Sequence, residues 1–351
     1  MAKEGGKKQF AILLTGLGIL VGLVAIMVLV AWLAIYICYK DEITTIRSVH
    51  KISDRPVWEV NYTSDYKFNE YLRQGSHSLL ETQEFLETNL CEGLDNFLSA
   101  HFKCSAFFAK TPEGDYILAR NMDYYGDIFP AILKLNREDG IRSIGMSSFN
   151  EKNQNVEIMR SFEAIYTPYF TYDGMNEHGV AVAAISTCDS YSIAKRNQVS
   201  IYDIEAVRLI LDQAKNVEDA KQLVKKYHIA LSEHNPSHFI ICDAEGNSVV
   251  VEYVNGSLQV VENNGSYQIL TDFLLFSGEK SSDQGAQIYQ VYKDVLNASK
   301  GVISIEDAMD LLRKNRDQEK GQWSVIYNVT KKTMAVSFSD DKNQVYEYSF
   351  S

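Results

Sequence analysis

Cys104, Arg120 and Asp123 are the residues of this sequence best spaced to do chemistry. Ala106-Phe107-Phe108-Ala109 and Tyr116-Ile117-Leu118-Ala119 read as two strands joined by a turn at Pro112-Glu113-Gly114-Asp115. In that hairpin Cys104 opens the first strand, and Arg120 and Asp123 end the second, which returns beside it. A guanidinium so placed favours a thiolate, and a carboxylate accepts from an amine. Taken singly, a strand cysteine is usually a small buried hydrophobe, and an Arg and Asp at a strand end usually form a salt bridge. The three together suggest a nucleophile. Five cysteines, at 38, 91, 104, 188 and 242, form no C-x-x-C pair, and no histidine stands at zinc-ligand spacing from them. No metal and no cofactor are expected, nor a disulfide framework, and an odd count leaves a thiol free.

The run C-S-A-F-F-A-K-T-P-E-G-D-Y-I-L-A-R-N-M-D-Y, Cys104 to Tyr124, resembles the mature N-terminus of the choloylglycine hydrolase family of linear amide C–N hydrolases, with Arg sixteen and Asp nineteen residues after the Cys. A second segment, Asp173-Gly174-Met175-Asn176-Glu177-His178-Gly179-Val180-Ala181, is similar to the family's D-G-M-N-E-x-G-L-A. Weaker likeness runs through Ile269 to Phe273 and Gln322 to Asn328, so that the resemblance covers roughly 66 to 351. It implies an α+β fold, the four-layer αββα N-terminal nucleophile hydrolase sandwich. It also implies cleavage between Lys103 and Cys104, freeing an α-amine whose pKa near ~8 suits a general base. Cys104 would then attack a linear amide and form an acyl thioester. By the same resemblance Arg120 favours the thiolate and Asp123 orients the α-amine.

The sequence departs from the family pattern at three places. Asp272 in Thr271-Asp272 stands where the family has an Asn that donates to the oxyanion. An ionised carboxylate has no donor, and losing one oxyanion donor costs on the order of a hundredfold in rate. Ile288 in Gly285-Ala286-Gln287-Ile288-Tyr289 replaces an Arg, and Ser186 replaces an Asn of bile salt hydrolases, where its backbone N–H still serves an oxyanion. Asn176 reads either as a further oxyanion or substrate contact or, preferably, as a turn residue of the Gly174 to Gly179 loop. Two rivals to hydrolysis stay open: acyl transfer to an amine, and an impaired membrane-tethered homologue that binds acyl ligands or a partner. The expected partner is a small N-acyl amide. Tyr124, Tyr125, Tyr166, Tyr169 and Phe170 lie near the motifs and read mostly as core.

These residues need a scaffold. The chain has 351 residues, 46% hydrophobic and 23% charged, with 21 Tyr and 16 Phe, enough for one large core. Its net charge of −12 excludes unaided nucleic-acid binding. From Phe10 to Cys38 no charge interrupts an apolar run longer than the roughly 20 residues that span a bilayer. It reads as a retained anchor, since Ile35-Tyr36-Ile37 before Cys38 is no signal-peptidase site. Lys3, Lys7 and Lys8 precede it and Lys40, Arg47 and Lys51 follow; a first-helix anchor favours an inside tail and an extracytoplasmic domain. Gly18 and Gly22 form a G-x-x-x-G pair compatible with a homo-oligomer, though such pairs are frequent in apolar runs. The expected organisation is a short tail (1–9), an anchor (10–38), a stalk and helical pro-segment (39–103) and a catalytic domain (104–351). Within it, 41 to 65 reads as a lead-in and 66 to 100 as helical. Strands are expected over 180–187, 238–242, 249–254, 258–261, 268–271, 323–329, 334–338 and 345–350, and helices near 201–215, 217–228, 284–298 and 305–315.

Overall fold

Side chains of a β-strand alternate between two faces, and the hairpin around Cys104 uses both. In the computed structural model β3 (His101–Lys110) pairs antiparallel with β4 (Tyr116–Tyr125), Cys104 opposite Met122. Cys104, Ala106, Phe108, Leu118 and Met122 face one core, while Phe107, Ala109, Ile117 and Ala119 face another. A six-stranded sheet grows outward from this hairpin. On the β3 side lies β14 (Gln268–Leu270); on the β4 side follow β15 (Gly321–Asn328), β16 (Thr333–Phe338) and β17 (Tyr346–Ser349). The structure describes residues 2–52, 57–90, 101–125, 128–150, 162–187, 190–233, 235–277, 284–315, 321–338 and 344–350.

The second sheet, nine-stranded among the described residues, runs β1 (His50–Lys51), β2 (Trp58–Tyr62), β5 (Ile128–Leu135), β6 (Ser143–Asn150), β7 (Asp173–Asn176), β8 (Ala181–Ser186), β11 (Ser237–Cys242), β12 (Ser248–Val254), β13 (Ser257–Glu262). Its β8 packs against β3 and β4. The helices Glu205–Gln213 and Val217–Lys226 cover its outer face, and Gln284–Ala298 and Ile305–Lys314 cover the outer face of the six-stranded sheet. The layers are therefore α, β, β, α. Two short strands, β9 (Ser200–Tyr202) and β10 (His228–Ala230), pair in parallel beside them.

The chain divides into two compact units, Met1–Thr44 and Thr45–Ser351. The first unit is dominated by the helix Ala2–Cys38, whose segment Leu13–Cys38 has a mean hydropathy of 2.8 and no buried residue. By length and composition it can cross a membrane. Being apolar all round, it has no polar face of the kind that a surface helix turns to water.

The second unit departs from the expected lead-in at 41 to 65. Thr45 is buried and bonds Ser64 at 2.9 Å, and Trp58–Tyr62 forms a strand parallel to β5 with Val60 and Tyr62 wholly buried. The five-residue run finds its partner about seventy residues on, where local periodicity cannot see it. The helices Phe68–Gln74 and Leu79–Asn89 follow, within the expected helical block; Leu94, Phe97 and Leu98, read as its end, lie outside the described residues. Phe68, Tyr71 and Phe85 set their rings around Tyr169 at 5.7, 5.3 and 6.2 Å. Tyr169, Tyr166 and Phe170 are buried. The described residues between 45 and 90 are thus part of the sandwich.

Candidate active site

Cys104 is the fourth residue of β3, three residues inside a strand expected to begin at it, because the chain before it continues the pairing His101 to Tyr125, Phe102 to Tyr124 and Lys103 to Asp123. Its side chain points between the sheets and is 7% exposed, so the thiol of the uncleaved chain is closed to a substrate. Arg120, on the same face of β4, brings Nη2 to 3.4 Å from Cys104 Sγ. The same nitrogen donates to the Ala184 carbonyl at 2.8 Å and touches Met122 Sδ at 2.8 Å. Arg120 therefore ties the six-stranded sheet to β8 across the core.

That guanidinium is 1% exposed and needs a counter-charge, which Asp173 supplies through an ion pair with Nη1; the other Asp173 oxygen accepts from the Tyr327 hydroxyl. Removing one partner of a buried pair costs about 3–5 kcal/mol, since it strands the other charge. Asp173 and Tyr327 carried no assigned role in the sequence reading. Their signal was present nonetheless: Asp173 opens the second motif, and Tyr327 lies in the likeness over Gln322 to Asn328.

Burial pushes the Cys104 thiol above its ordinary pKa; Arg120 and the Ser186 backbone N–H pull it down, and Asp123 pushes it up. The thiol form fits its geometry, with Sγ directed at Met122 Sδ, 3.7 Å away. Asp123, 4% exposed, shares strand parity with Asn121, on the helix-covered face opposite the thiol. There Asn121 donates to the Leu312 carbonyl at 2.7 Å, and Ser105 and Tyr292 hydroxyls lie 3.0 Å apart. A backbone nitrogen lies in the plane of a sheet and is accessible from either face.

Asp272 lies two residues beyond the end of β14, which pairs with β3 up to Leu270 opposite Ala106, two residues past Cys104. Its backbone carbonyl accepts from Thr187 Oγ1 at 3.1 Å. The half-buried carboxylate rests on Gly285, at the start of the helix Gln284–Ala298, where a Cβ would fall 1.6 Å from Oδ1. Helix starts favour negative charge. A fully buried pair behind the turn fixes it: His238 Nε2 lies 2.8 Å from the Thr271 carbonyl, and Glu252 accepts from the Leu275 and Phe276 N–H groups at 3.0 and 2.5 Å. Sequence reading had no signal for this clamp.

Ser186 ends β8 with its N–H toward the sulfur. Asn176 is wholly buried and fully used by the fold: its amide donates to the Leu211 and Ala214 carbonyls at 3.1 and 2.8 Å, and its oxygen accepts from the His178 and Val180 N–H groups, both at 3.1 Å. No amide hydrogen of Asn176 is left for a substrate. Ile288 packs partly buried against the helix-side core, away from the face that carries the thiol. Among the described residues no group of three or more His, Cys, Asp or Glu is placed to hold a metal ion.

Residues 104–276 match the family described as linear amide C-N hydrolases, choloylglycine hydrolase family. A bile salt hydrolase/transferase of Clostridium perfringens is 27% identical over 173 residues, 46% of this chain and 51% of that protein. An uncharacterized protein of Paramecium bursaria Chlorella virus 1 is 32% identical over 100 residues, 26% of this chain and 36% of that protein. The chain thus spans about a third to a half of the length of these relatives. A crystal structure of a conjugated bile acid hydrolase from Clostridium perfringens, a mutant form, superposes with a TM-score of 0.50 at 17% identity, over 70% of this chain and 92% of that one. That likeness is one of fold, the α+β sandwich of N-terminal nucleophile hydrolases. Over residues 104–276, just under half of its length, the chain is thus similar to the linear amide C-N hydrolases of the choloylglycine hydrolase family.

Proposed function

We propose that this chain is the precursor of a cysteine amidohydrolase that cleaves the linear amide of a small N-acyl substrate, anchored in a membrane by residues 10–38 with the sandwich on the extracytoplasmic side. The observation that carries this reading is the Arg120 guanidinium 3.4 Å from Cys104 Sγ, itself neutralised by Asp173. A cation so held lowers the cost of a thiolate without leaving a net buried charge.

Activation begins with the Lys103–Cys104 bond. The sulfur adds to the Lys103 carbonyl, the C–N bond breaks as the nitrogen takes the thiol proton, and water hydrolyses the resulting thioester to leave Lys103 a carboxylate and Cys104 a free α-amine. After cleavage the residues at 101–103 leave their pairing with β4 while the rest of the segment stays in place, which opens the covered thiol. In turnover the α-amine takes the thiol proton, sulfur attacks the substrate carbonyl, and the Ser186 N–H donates a hydrogen bond to the oxyanion. The ammonium then gives its proton to the departing amine and the C–N bond breaks. Water, giving a proton to the same α-amine, hydrolyses the acyl thioester and restores the thiol. Asp123, beside the strand where Lys103 ends, orients the α-amine. The cleaved segment stays bound through β2, which is paired within the sheet, and through the rings of Phe68 and Tyr71, which close on Tyr169.

Intact-mass analysis of the purified chain, joined to a hydrolysis panel of conjugated bile salts, phenoxyacetyl amides and N-acylethanolamides, tests this. Two fragments meeting at Lys103 and Cys104, with acid release abolished by Cys104→Ala, are expected. A single uncut species that still releases acid would sink the N-terminal mechanism. Asp272 favours a second reading, a homologue that binds N-acyl ligands without turning them over; cleaved protein that binds but never releases acid would select it. Transfer of the acyl group to an added amine, read as a new amide, would identify an acyltransferase.

A further inference from the structure

Away from the residues around Cys104, a cavity of about 610 Å³ opens between the loop at 193–198, the C-terminal end of the helix Val217–Lys226 and β13. Its size falls within the roughly 300–1,000 Å³ of small-molecule sites. One wall is hydrocarbon: Val224, Leu258, Val260 and Ile193. The loop is held over it, since Ile193 N–H donates to the Gly256 carbonyl at 3.0 Å and the Ile193 side chain lies against Gly256, where a Cβ would come within 2.5 Å of it.

The rim has the opposite character to the chain as a whole. The protein carries a net charge of −12, yet the cavity is lined by Lys195 and Lys225 and by no Asp or Glu. Both lysines are exposed, and neither ammonium is in an ion pair among the described residues. Gln198 brings their backbones together: its amide donates to the Lys225 carbonyl at 3.0 Å, and its Oε1 accepts from the Lys195 N–H at 3.4 Å. Two carboxylates on these elements, Glu218 of the helix and Glu262 of β13, are both taken by Lys221, at 2.8 and 2.7 Å. His228, 6% exposed, completes the lining. Its Nδ1 is fixed by Ser200 Oγ at 2.9 Å, and its Nε2 has no hydrogen-bond partner. Burial, and after it the neighbouring His77, hold this ring's pKa below its ordinary value, so it is a neutral polar contact rather than a third cation.

Two unpaired cations lining a cavity with a hydrocarbon wall suit one kind of molecule. We propose that this cavity is a binding site for a free medium-chain carboxylate, with the carboxylate between Lys195 and Lys225 and the chain along Val224, Leu258 and Val260. An anionic phospholipid in a bilayer offers similar chemistry, but the cavity is sized for a single chain, and its walls enclose the chain on three elements. The site is independent of the reaction at Cys104.

Equilibrium dialysis of radiolabelled octanoate against the full chain in zwitterionic nanodiscs, with empty nanodiscs subtracted, tests it. One saturable site is expected, not competed by octanol. Lys195→Ala/Lys225→Ala should bind octanoate about tenfold more weakly or worse, the size of one lost charge-assisted hydrogen bond, with an unchanged melting temperature because both side chains are exposed and unpaired. Absence of saturable binding, or equal binding by a folded double variant, overturns the proposal. So does sedimentation of the protein with phosphatidylglycerol vesicles through these lysines without octanoate binding, which would assign the patch to a membrane surface.

Discussion

Arg120 lies on β4 and Asp272 just past β14, the two strands that flank β3, and the protein holds them in opposite ways. Arg120 is locked: an ion pair to Asp173, a 2.8 Å bond to the Ala184 carbonyl and almost no exposure fix it in one place. Asp272 is half-buried on a turn, its side chain resting on a glycine at a helix start. The first side is built into the stability of the sandwich, so it cannot change without consequence for folding. The second can vary at little structural cost, and one of the three departures from the family pattern read in the sequence falls there.

The largest expected effect lies on the locked side. Arg120→Met or Asp173→Asn alone should cost about 3–5 kcal/mol, whereas the double variant should recover much of that loss, because no buried charge is left unpaired. Denaturant midpoints of the four proteins check this; additive losses would mean that the pair is not coupled. On the variable side, Asp272→Asn should raise amide hydrolysis by on the order of a hundredfold through a restored oxyanion donor, with stability changed by less than about 1 kcal/mol. Comparing kcat/KM on one amide decides it, and an unchanged rate would place Asp272 outside the oxyanion site.

The two sides also differ in what they do to the thiol. Burial raises the Cys104 pKa and Arg120 lowers it, so in the uncleaved chain the thiolate forms only above the ordinary thiol range. Alkylation of Cys104 followed by peptide mass should therefore rise at a higher pH than for a free thiol, and at a still higher pH in Arg120→Met. The smallest effect is expected for Gly285→Ala: a methyl 1.6 Å from Asp272 Oδ1 must displace that carboxylate. Hydrolysis should change in the same direction as in Asp272→Asn but less. In the Asp272→Gly background, which removes the clash, the alanine should have no effect on rate.

The hairpin carrying Cys104, Arg120 and Asp123 was legible because its strands are adjacent in sequence and joined by a Pro-Glu-Gly-Asp turn. The strand 58–62 was not, since its partner is β5 and five residues of alternation do not stand out within a polar stretch. Nor was the counter-ion of Arg120. A buried guanidinium demands an anion, but only the packing of β7 against the six-stranded sheet selects Asp173 from the many acids of this chain. Asn176 shows the reverse case, a motif residue whose amide hydrogens are both consumed by helix-end carbonyls at Leu211 and Ala214.

The sequence by itself determined the spacing of Cys104 to Arg120 and Asp123, the likeness to a family over 104–276, and an apolar helix before the sandwich, all properties of short-range pattern. Tertiary structure alone decided which charge answers Arg120, which backbone N–H faces the sulfur, and that the described residues between 45 and 90 are part of the fold. The reason is physical: pairings between distant segments follow from the joint burial of two sheets, and no local stretch of the chain encodes them singly.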